Sequence, residues 1–281
     1  MGDPLDTGSA VDPILDEVRR FYESHHEGIE RSRRRHRYFY GYLERILRVR
    51  VPEGLRVLDL GCGSGDLLAG LKPSQGVGID VSAPAIRTAR ERHAEASLRF
   101  VQGDIARPEV LASAGGPFDV VLLVNVVTHL TDVQATLERL HGLVHPRTRV
   151  LIYSYSRLWQ PLLRLVELLR LKYRQPPESW LPPEEIKNML SLADFEVVRD
   201  DAHLVCPMYV PLLAHLANRY LGRLPLLDQL SLMFGIVARP SPARAPAGGA
   251  PPSVSVVIPC RNEAGHIRPL VDSLPRLPEG S

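Results

Sequence analysis

Apolar and polar positions follow two different periods along this chain. From Pro13 to about Arg50, apolar and aromatic residues recur on successive turns, the spacing that gathers them on one face of a helix. The run RVLDLGCGSG then reads as a strand, followed by a helix-length stretch and a second short strand, GVGID. LRFVQGD, FDVVLLVNV and TRVLIYSYS continue the alternation, with helix-length segments between them. Strand followed by helix, repeated, predicts an α/β chain with a mostly parallel, doubly wound sheet and helices on both faces. FDVVLLVNVV is apolar at nearly every position, as expected of a central parallel strand covered on both sides.

After Ser156 the alternation is interrupted. RLWQPLLRLVELLRLKYR reads as a helix with polar residues at Arg164, Glu167, Arg170 and Arg174 and a wide apolar face. Burial of that face against the sheet is the simplest reading; capping a site or lying on a membrane surface are the alternatives. LPPEEIKNMLSLADFEVV gives a helix opened by prolines and then a strand, and LSLMFGIVARP supplies a last strand-like segment. PSPARAPAGGAPP has no periodicity and almost nothing to bury, which marks a linker. Beyond it, SVSVVIPCRNEAGHIRPLVDSL starts a new strand–loop–helix unit, and roughly 30 residues are too few to bury a core of their own. The expected organisation is an N-terminal helical extension (1–34), a main α/β domain (35–239) with cap or substrate elements at 157–235, a linker (240–252) and an incomplete further domain (253–281).

Composition narrows the classes. Of 281 residues, 44% are hydrophobic and 23% charged, which excludes wholesale disorder. Lys plus Arg number 34 against 32 Asp plus Glu, so no global charge declares a nucleic-acid partner. The basic cluster RSRRRHR at 31–37 reads as a solvated helix face, with an anion-binding patch as the alternative. Cys62, Cys206 and Cys260 lie too far apart in sequence for a disulfide framework or a cysteine-rich zinc site. The histidines show no ligand spacing, and no metal is expected. No secretory leader and no uninterrupted spanning run are evident, which leaves a cytoplasmic setting, with contact at the inner face of the membrane open.

Gly61, Gly63 and Gly65 follow the strand RVLDL directly. Closely spaced glycines at a strand end let the backbone turn sharply and let a ligand approach the main chain. A dinucleotide-dependent oxidoreductase shares this turn, but its fingerprint wants Gly or Ala at the sixth position, where this chain has Asp66. Asp59 is an acid placed to meet a cationic ligand group. Asp80 ends the next strand, 19 residues after Gly61, where a carboxylate can accept from both hydroxyls of a ribose.

VLDLGCGSG, VGID, VQGDI and FDVVLLVNVVTHL, in that order and spacing, resemble the successive motifs of class I S-adenosylmethionine-dependent methyltransferases over about residues 35–240. The resemblance implies a Rossmann-like, mostly parallel seven-stranded sheet and S-adenosyl-L-methionine as cofactor. It also implies that Gly61, Cys62, Gly63 and Gly65 pass beneath the methionine and ribose portions, with Asp59 at the methionine amino group. Asp80, with Val81 beside it, would hold the ribose, Asp104 and Ile105 the adenine, and Asn125 the region near the transferable methyl. Taken alone, Asp104 reads as a turn or helix-cap aspartate. His129, four residues past Asn125, is the candidate general base for an oxygen acceptor; a histidine bonded to the backbone at a helix start is the competing reading. Tyr38 and Tyr40, just ahead of the sheet, could close over the cofactor or simply pack.

The tail SVSVVIPCRNEAGHI resembles the opening strand and loop of family 2 glycosyltransferases, where the region matching Pro259, Arg261, Asn262 and Glu263 lies beside the nucleotide base. The acidic metal-binding motif of that family is absent from this stretch, so no sugar transfer is expected from it. The neighbourhood suggests a small-molecule, saccharide or lipid-linked glycan as methyl acceptor. A non-catalytic cofactor-binding module serving an attached glycosyltransferase is the alternative. Nucleic-acid methylation has only the basic cluster in its favour, and the chain lacks an Asn/Asp-Pro-Pro-aromatic motif.

Overall fold

The structure, a computed structural model, describes residues 13–160, 181–203 and 231–242. The helical period of the N-terminal region resolves into three helices, α1 (Pro13–Ser24), α2 (His26–Arg35) and α3 (Arg37–Arg50). His25 and His36 leave helical geometry between them. The sheet-forming run follows as β1 (Arg56–Leu60), α4 (Asp66–Gly70), β2 (Gln75–Asp80), α5 (Ala83–Arg92) and β3 (Leu98–Gln102). It continues with α6 (Pro108–Ser113), β4 (Phe118–Val124), α7 (Val133–Arg139) and β5 (Val144–Tyr155), then α8 (Pro183–Leu192), β6 (Phe195–His203) and β7 (Met233–Pro240). The helix read over 157–174 falls mostly outside the described residues; its start, Arg157–Trp159, is a single 3-10 turn. The strand–loop–helix unit read at 253–281 also lies outside them.

The seven strands form one sheet in the order β3-β2-β1-β4-β5-β7-β6. β3, β2, β1, β4 and β5 pair in parallel, and β7 is antiparallel to both β5 and β6. The apolar runs reflect burial on both faces. On β4, Val121 and Leu123 join one core with α6, α7 and α8, while Val120 and Leu122 join the other with α3, α4 and α5. β5 divides the same way, with Val150 and Ile152 on one side and Leu151 and Tyr153 on the other. Period two with both faces apolar leaves no polar position to mark the alternation.

Chain order reverses direction across the sheet at β1, whose neighbours are β2 and β4. In such sheets the connections leave the carboxyl ends of β1 and β4 on opposite faces and open a crevice between them. The glycine loop after β1 and the turn after β4 therefore face each other. Contacts within the chain separate two compact units, Met1–Ser241 and Pro242–Ser281, and every element above belongs to the first. Among the described residues, no helix is long and apolar enough to cross a membrane.

Leu122 is fully buried at the centre of the sheet. Leu122→Ala should lower unfolding stability by about 2–5 kcal/mol, because the parallel strands around it cannot collapse into the void. Urea denaturation followed by circular dichroism would register this as a lower midpoint with an unchanged slope.

Candidate active site

The glycine loop is bent by its own close packing. Gly61 has φ +79°, and a Cβ there would lie 2.8 Å from a methyl of Val126. The loops after β1 and β4 approach too closely for any side chain between them. Gly65, with φ +76°, would drive a Cβ to 2.6 Å from the Phe100 ring. Beyond Val124, Asn125 takes φ +55°, a backbone conformation that costs free energy outside glycine and concentrates at functional sites. Its N–H donates to the Tyr153 carbonyl at 2.8 Å.

These loops line a cavity of about 740 Å³. Asp59, Gly61, Cys62, Gly63, Asp80, Val81, Asp104, Ile105, Asn125 and His129 all lie on its wall. Gly65 does not; it caps α4 from beneath. Both tyrosines, Tyr38 and Tyr40 on α3, pack against the core, and Tyr40 also lines the cavity under the Arg33 guanidinium, whose carbon is 4.8 Å from the ring centroid. Asp104 makes a turn bond and also lies on the cavity wall; its Oδ1 accepts from the Ala106 N–H at 2.8 Å.

The acids at the strand ends differ in how their charge is compensated. Asp80 Oδ2 accepts from the Gly63 N–H at 2.8 Å, and Oδ1 from the Ser82 N–H at 2.9 Å. Its carboxylate thus holds the glycine loop to the start of α5. Burial raises its carboxyl above the ordinary range, opposed by those two N–H bonds and by His26. Asp59 is only 2% exposed, and its Oδ2 has no hydrogen-bond partner among the described residues. Burial pushes its carboxyl up to about 7, with the Asp80 charge adding to the shift and Arg33 opposing it. Asn125 Oδ1 is likewise buried without a hydrogen-bond partner among the described residues. Cys62 is a buried free thiol whose pKa burial pushes well up, so it is no nucleophile.

The roof comes from Glu30 and Tyr22, which the sequence pattern does not single out, and from arginines of the basic cluster at 31–37. Glu30, 7% exposed on α2, accepts from the Ser64 hydroxyl at 2.5 Å and pairs with Arg92 of α5 at 2.5 Å. Burial works against its charge, but Ser64 and Arg92 outweigh it and hold the carboxyl below its usual value. Arg33 reaches Asp66 at 3.5 Å, and Arg34 and Arg37 lie on the cavity rim. The cluster at 31–37 is therefore not solely a solvated face: Arg31 and Arg35 are exposed, while Arg33 is built into the site. From α1, the Tyr22 hydroxyl meets His129 Nε2 at 3.0 Å. His129 ends a 3-10 turn, Val127–His129, and its backbone N–H bonds to the Val126 carbonyl at 2.9 Å.

A family model described as a methyltransferase domain matches residues 31–200. The chain belongs to that family. It is a class I S-adenosylmethionine-dependent methyltransferase, and the fold agrees. The methyltransferase is 30% identical to an uncharacterized methyltransferase of Mycobacterium tuberculosis over 164 residues, 53% of this chain and 82% of the relative. It is 32% identical over 155 residues to the ubiquinone biosynthesis O-methyltransferase of Brucella ovis, covering 52% of this chain and 62% of that enzyme. A Haloferax volcanii putative methyltransferase solved with its Trm112 activator shares the fold at TM-score 0.60 and 16% identity, over 81% and 99% of the two chains. Magnesium protoporphyrin IX methyltransferase from Synechocystis PCC 6803 with bound SAH superposes at TM-score 0.54 and 17% identity, over 81% and 100%. Among the described residues, no group of three or more His, Cys, Asp or Glu is placed to hold a metal ion.

The environment of Asp59 makes a stability prediction. Its folded pKa, about 7, lies above the 3.8 of an unperturbed carboxyl, so the folded state binds this proton more tightly than the unfolded state. That contribution is complete below about pH 4 and is lost as pH rises through 7. Asp59→Asn should therefore stabilise the ligand-free protein at pH 8 by a few kcal/mol, with the gain vanishing near pH 4. Thermal melting across that range tests it.

Proposed function

We propose that the enzyme methylates an oxygen of a small molecule, saccharide or lipid-linked glycan, with His129 taking the acceptor proton. The observation that carries this is the position of His129 on the cavity wall with Asn125 and Asp59, its ring nitrogen bonded to Tyr22. The unpartnered oxygens of Asp59 and Asn125 and the side-chain-free Gly61 turn fit an amino-acid-bearing nucleoside. Asp59 would hold the methionine ammonium and Arg33 its carboxylate. Each Asp80 oxygen keeps a lone pair beyond its N–H bond for the ribose hydroxyls, with Val81 alongside. Asp104 and Ile105 would bound the adenine. Cys62, Gly63 and Gly65 shape the loop beneath, and Asn125 faces the reacting end.

S-adenosylmethionine, when bound, supplies a methyl group on a sulfonium, whose in-line displacement leaves a neutral thioether. The protein's share is mainly alignment. His129 would take the proton at Nε2, the nitrogen that the Tyr22 hydroxyl reaches, with that hydroxyl passing its own proton to the ring as it receives the acceptor's. Support for an oxygen acceptor comes from the relatives that are O-methyltransferases of ubiquinone biosynthesis. Support for a saccharide or lipid-linked acceptor comes from the glycosyltransferase-like start at 253–281 that follows the linker 240–252. Such an acceptor would place the enzyme in the cytoplasm, at the inner face of the membrane. Residues 35–239 would form the catalytic domain, with acceptor-specific elements at 157–235 and the helices of 1–34 as its roof.

Calorimetric titration with S-adenosylhomocysteine tests the cofactor assignments without knowledge of the acceptor. Asp80→Asn should weaken binding by about 1.5–3 kcal/mol. Wild-type affinity should fall about tenfold per pH unit below pH 7, because Asp59 must shed its proton to meet an ammonium. In Asp59→Asn that pH dependence should disappear. Affinity that is flat with pH in the wild type would remove Asp59 from the cofactor site.

Once an acceptor turns over, His129→Ala should lower kcat by about 10²–10⁴-fold at saturating cofactor. A variant with unchanged kcat would return His129 to a packing role.

A further inference from the structure

The basic cluster does not exhaust itself in holding the roof. Glu30, Arg33 and Arg34 are spaced i, i+3 and i+4 on one face of α2, Arg37 opens α3 just past the break at His36, and all four line the cavity. Three acids that share the cavity lining with Arg34 and Arg37 are already engaged. Glu30 is held by Ser64, Arg92 and Arg33. Asp66 is held by His93 at 2.9 Å, Arg92 at 3.4 Å and Arg33 at 3.5 Å. Glu44 pairs with Arg48 at 2.7 Å. Among the described residues, neither Arg34 nor Arg37 has an ion-pair partner, and both are exposed on the rim. The amino-acid end of the cofactor carries one carboxylate, which Arg33, beside Gly63, is sufficient to meet. Two guanidinium groups remain over.

We infer that Arg34 and Arg37 bind an oxyanion group of the methyl acceptor, a phosphate or a carboxylate, at the mouth of the cavity. The inference rests on the cofactor assignment above and names the acceptor class for that same site. Guanidinium forks match both groups in geometry, and charge assistance strengthens each bond. Further along the roof, Val18 and Ile29 line the cavity near Tyr22 and His129. The acceptor is thus an amphipathic anion, with its apolar body under α1 and its charge under the α2–α3 turn.

Calorimetric titrations of inorganic pyrophosphate, and separately of malonate, into the full chain saturated with S-adenosylhomocysteine read this site. At low salt at least one of them should bind the wild type. Arg34→Gln/Arg37→Gln should weaken that binding about tenfold or more, while S-adenosylhomocysteine affinity stays within about twofold. Arg31→Gln/Arg35→Gln removes the same charge from exposed positions outside the cavity lining and should leave both affinities unchanged. Tighter pyrophosphate assigns a phosphoryl group, and tighter malonate a carboxylate. Binding of neither anion, equal weakening by the two double variants, or loss of S-adenosylhomocysteine affinity with Arg34 and Arg37 overturns the inference. Failure of S-adenosylhomocysteine to bind the wild type is a separate result, which refutes the cofactor assignment beneath it.

Discussion

Two carboxylates, Asp59 and Asp80, sit at the carboxyl ends of the adjacent parallel strands β1 and β2, where burial raises the cost of ionising both and the Asp80 charge adds to that of Asp59. The loops around them are arranged by that charge. Asp80 draws two backbone N–H groups, one from the glycine loop and one from the start of α5. Satisfying its oxygens therefore fixes the path of both connections. Among the described residues, Asp59 receives no such compensation at Oδ2. An uncompensated buried carboxylate is expensive, and the neutral acid is the usual escape. Its shift to about 7 is that escape taken halfway. The free site thus retains an ionisation cost that a cationic ligand group would offset on arrival.

The roof is joined to this floor through one loop. Ser64 lies within the glycine turn, and its hydroxyl meets the buried Glu30 carboxylate of α2. Arg92 reaches the same carboxylate from the end of α5, and it also reaches Asp66 at the start of α4. Exposed ion pairs contribute little to stability. Glu30 differs because it is buried, so removal of a partner would strand its charge. The network consequently sets the position of α2 over the cavity more firmly than the apolar contacts of α2 alone, a helix whose sequence HEGIERSRRR has little to bury.

How much of this was legible in the sequence followed from where each residue's partners lie. The strands were readable because burial on both faces leaves unbroken apolar runs such as FDVVLLV. The insertion of β7 between β5 and the edge strand β6 was not, since strand order depends on contacts distant in sequence. β6 was readable over FEVV, but its continuation RDDAH resembles a surface segment, and the strand's charges pair along the edge, Asp200 with Lys187 and Glu196 with Arg239. The floor of the site was readable because strand-end acids and closely spaced glycines are a local pattern. Glu30 and Tyr22 were missed for the opposite reason, and the anion-binding alternative for the cluster at 31–37 came second to a solvated face. These residues stand on helices, where charged and amphipathic residues are expected to face water, and only the i, i+3, i+4 spacing of Glu30, Arg33 and Arg34 hints that this face of α2 turns inward.

The geometry at the end of β4 explains why the helices before the sheet belong to the site's chemistry as well as to its shape. Gly61 packs against Val126 so closely that the β1 and β4 loops act as one wall. Asn125 accepts a left-handed backbone to keep its amide on that wall, and the next turn presents His129. A displacement at carbon is governed by alignment of attacking and leaving atoms, so a rigid wall on one side is only half of the requirement. The other half must come from whatever covers the attacking atom. Tyr22 reaches from α1 to the same imidazole, linking the cover to the group proposed to take the proton. An acceptor seated between α1 and the β4 turn would be aligned and deprotonated by one connected set of contacts, with α2 carrying the surplus positive charge at its far end.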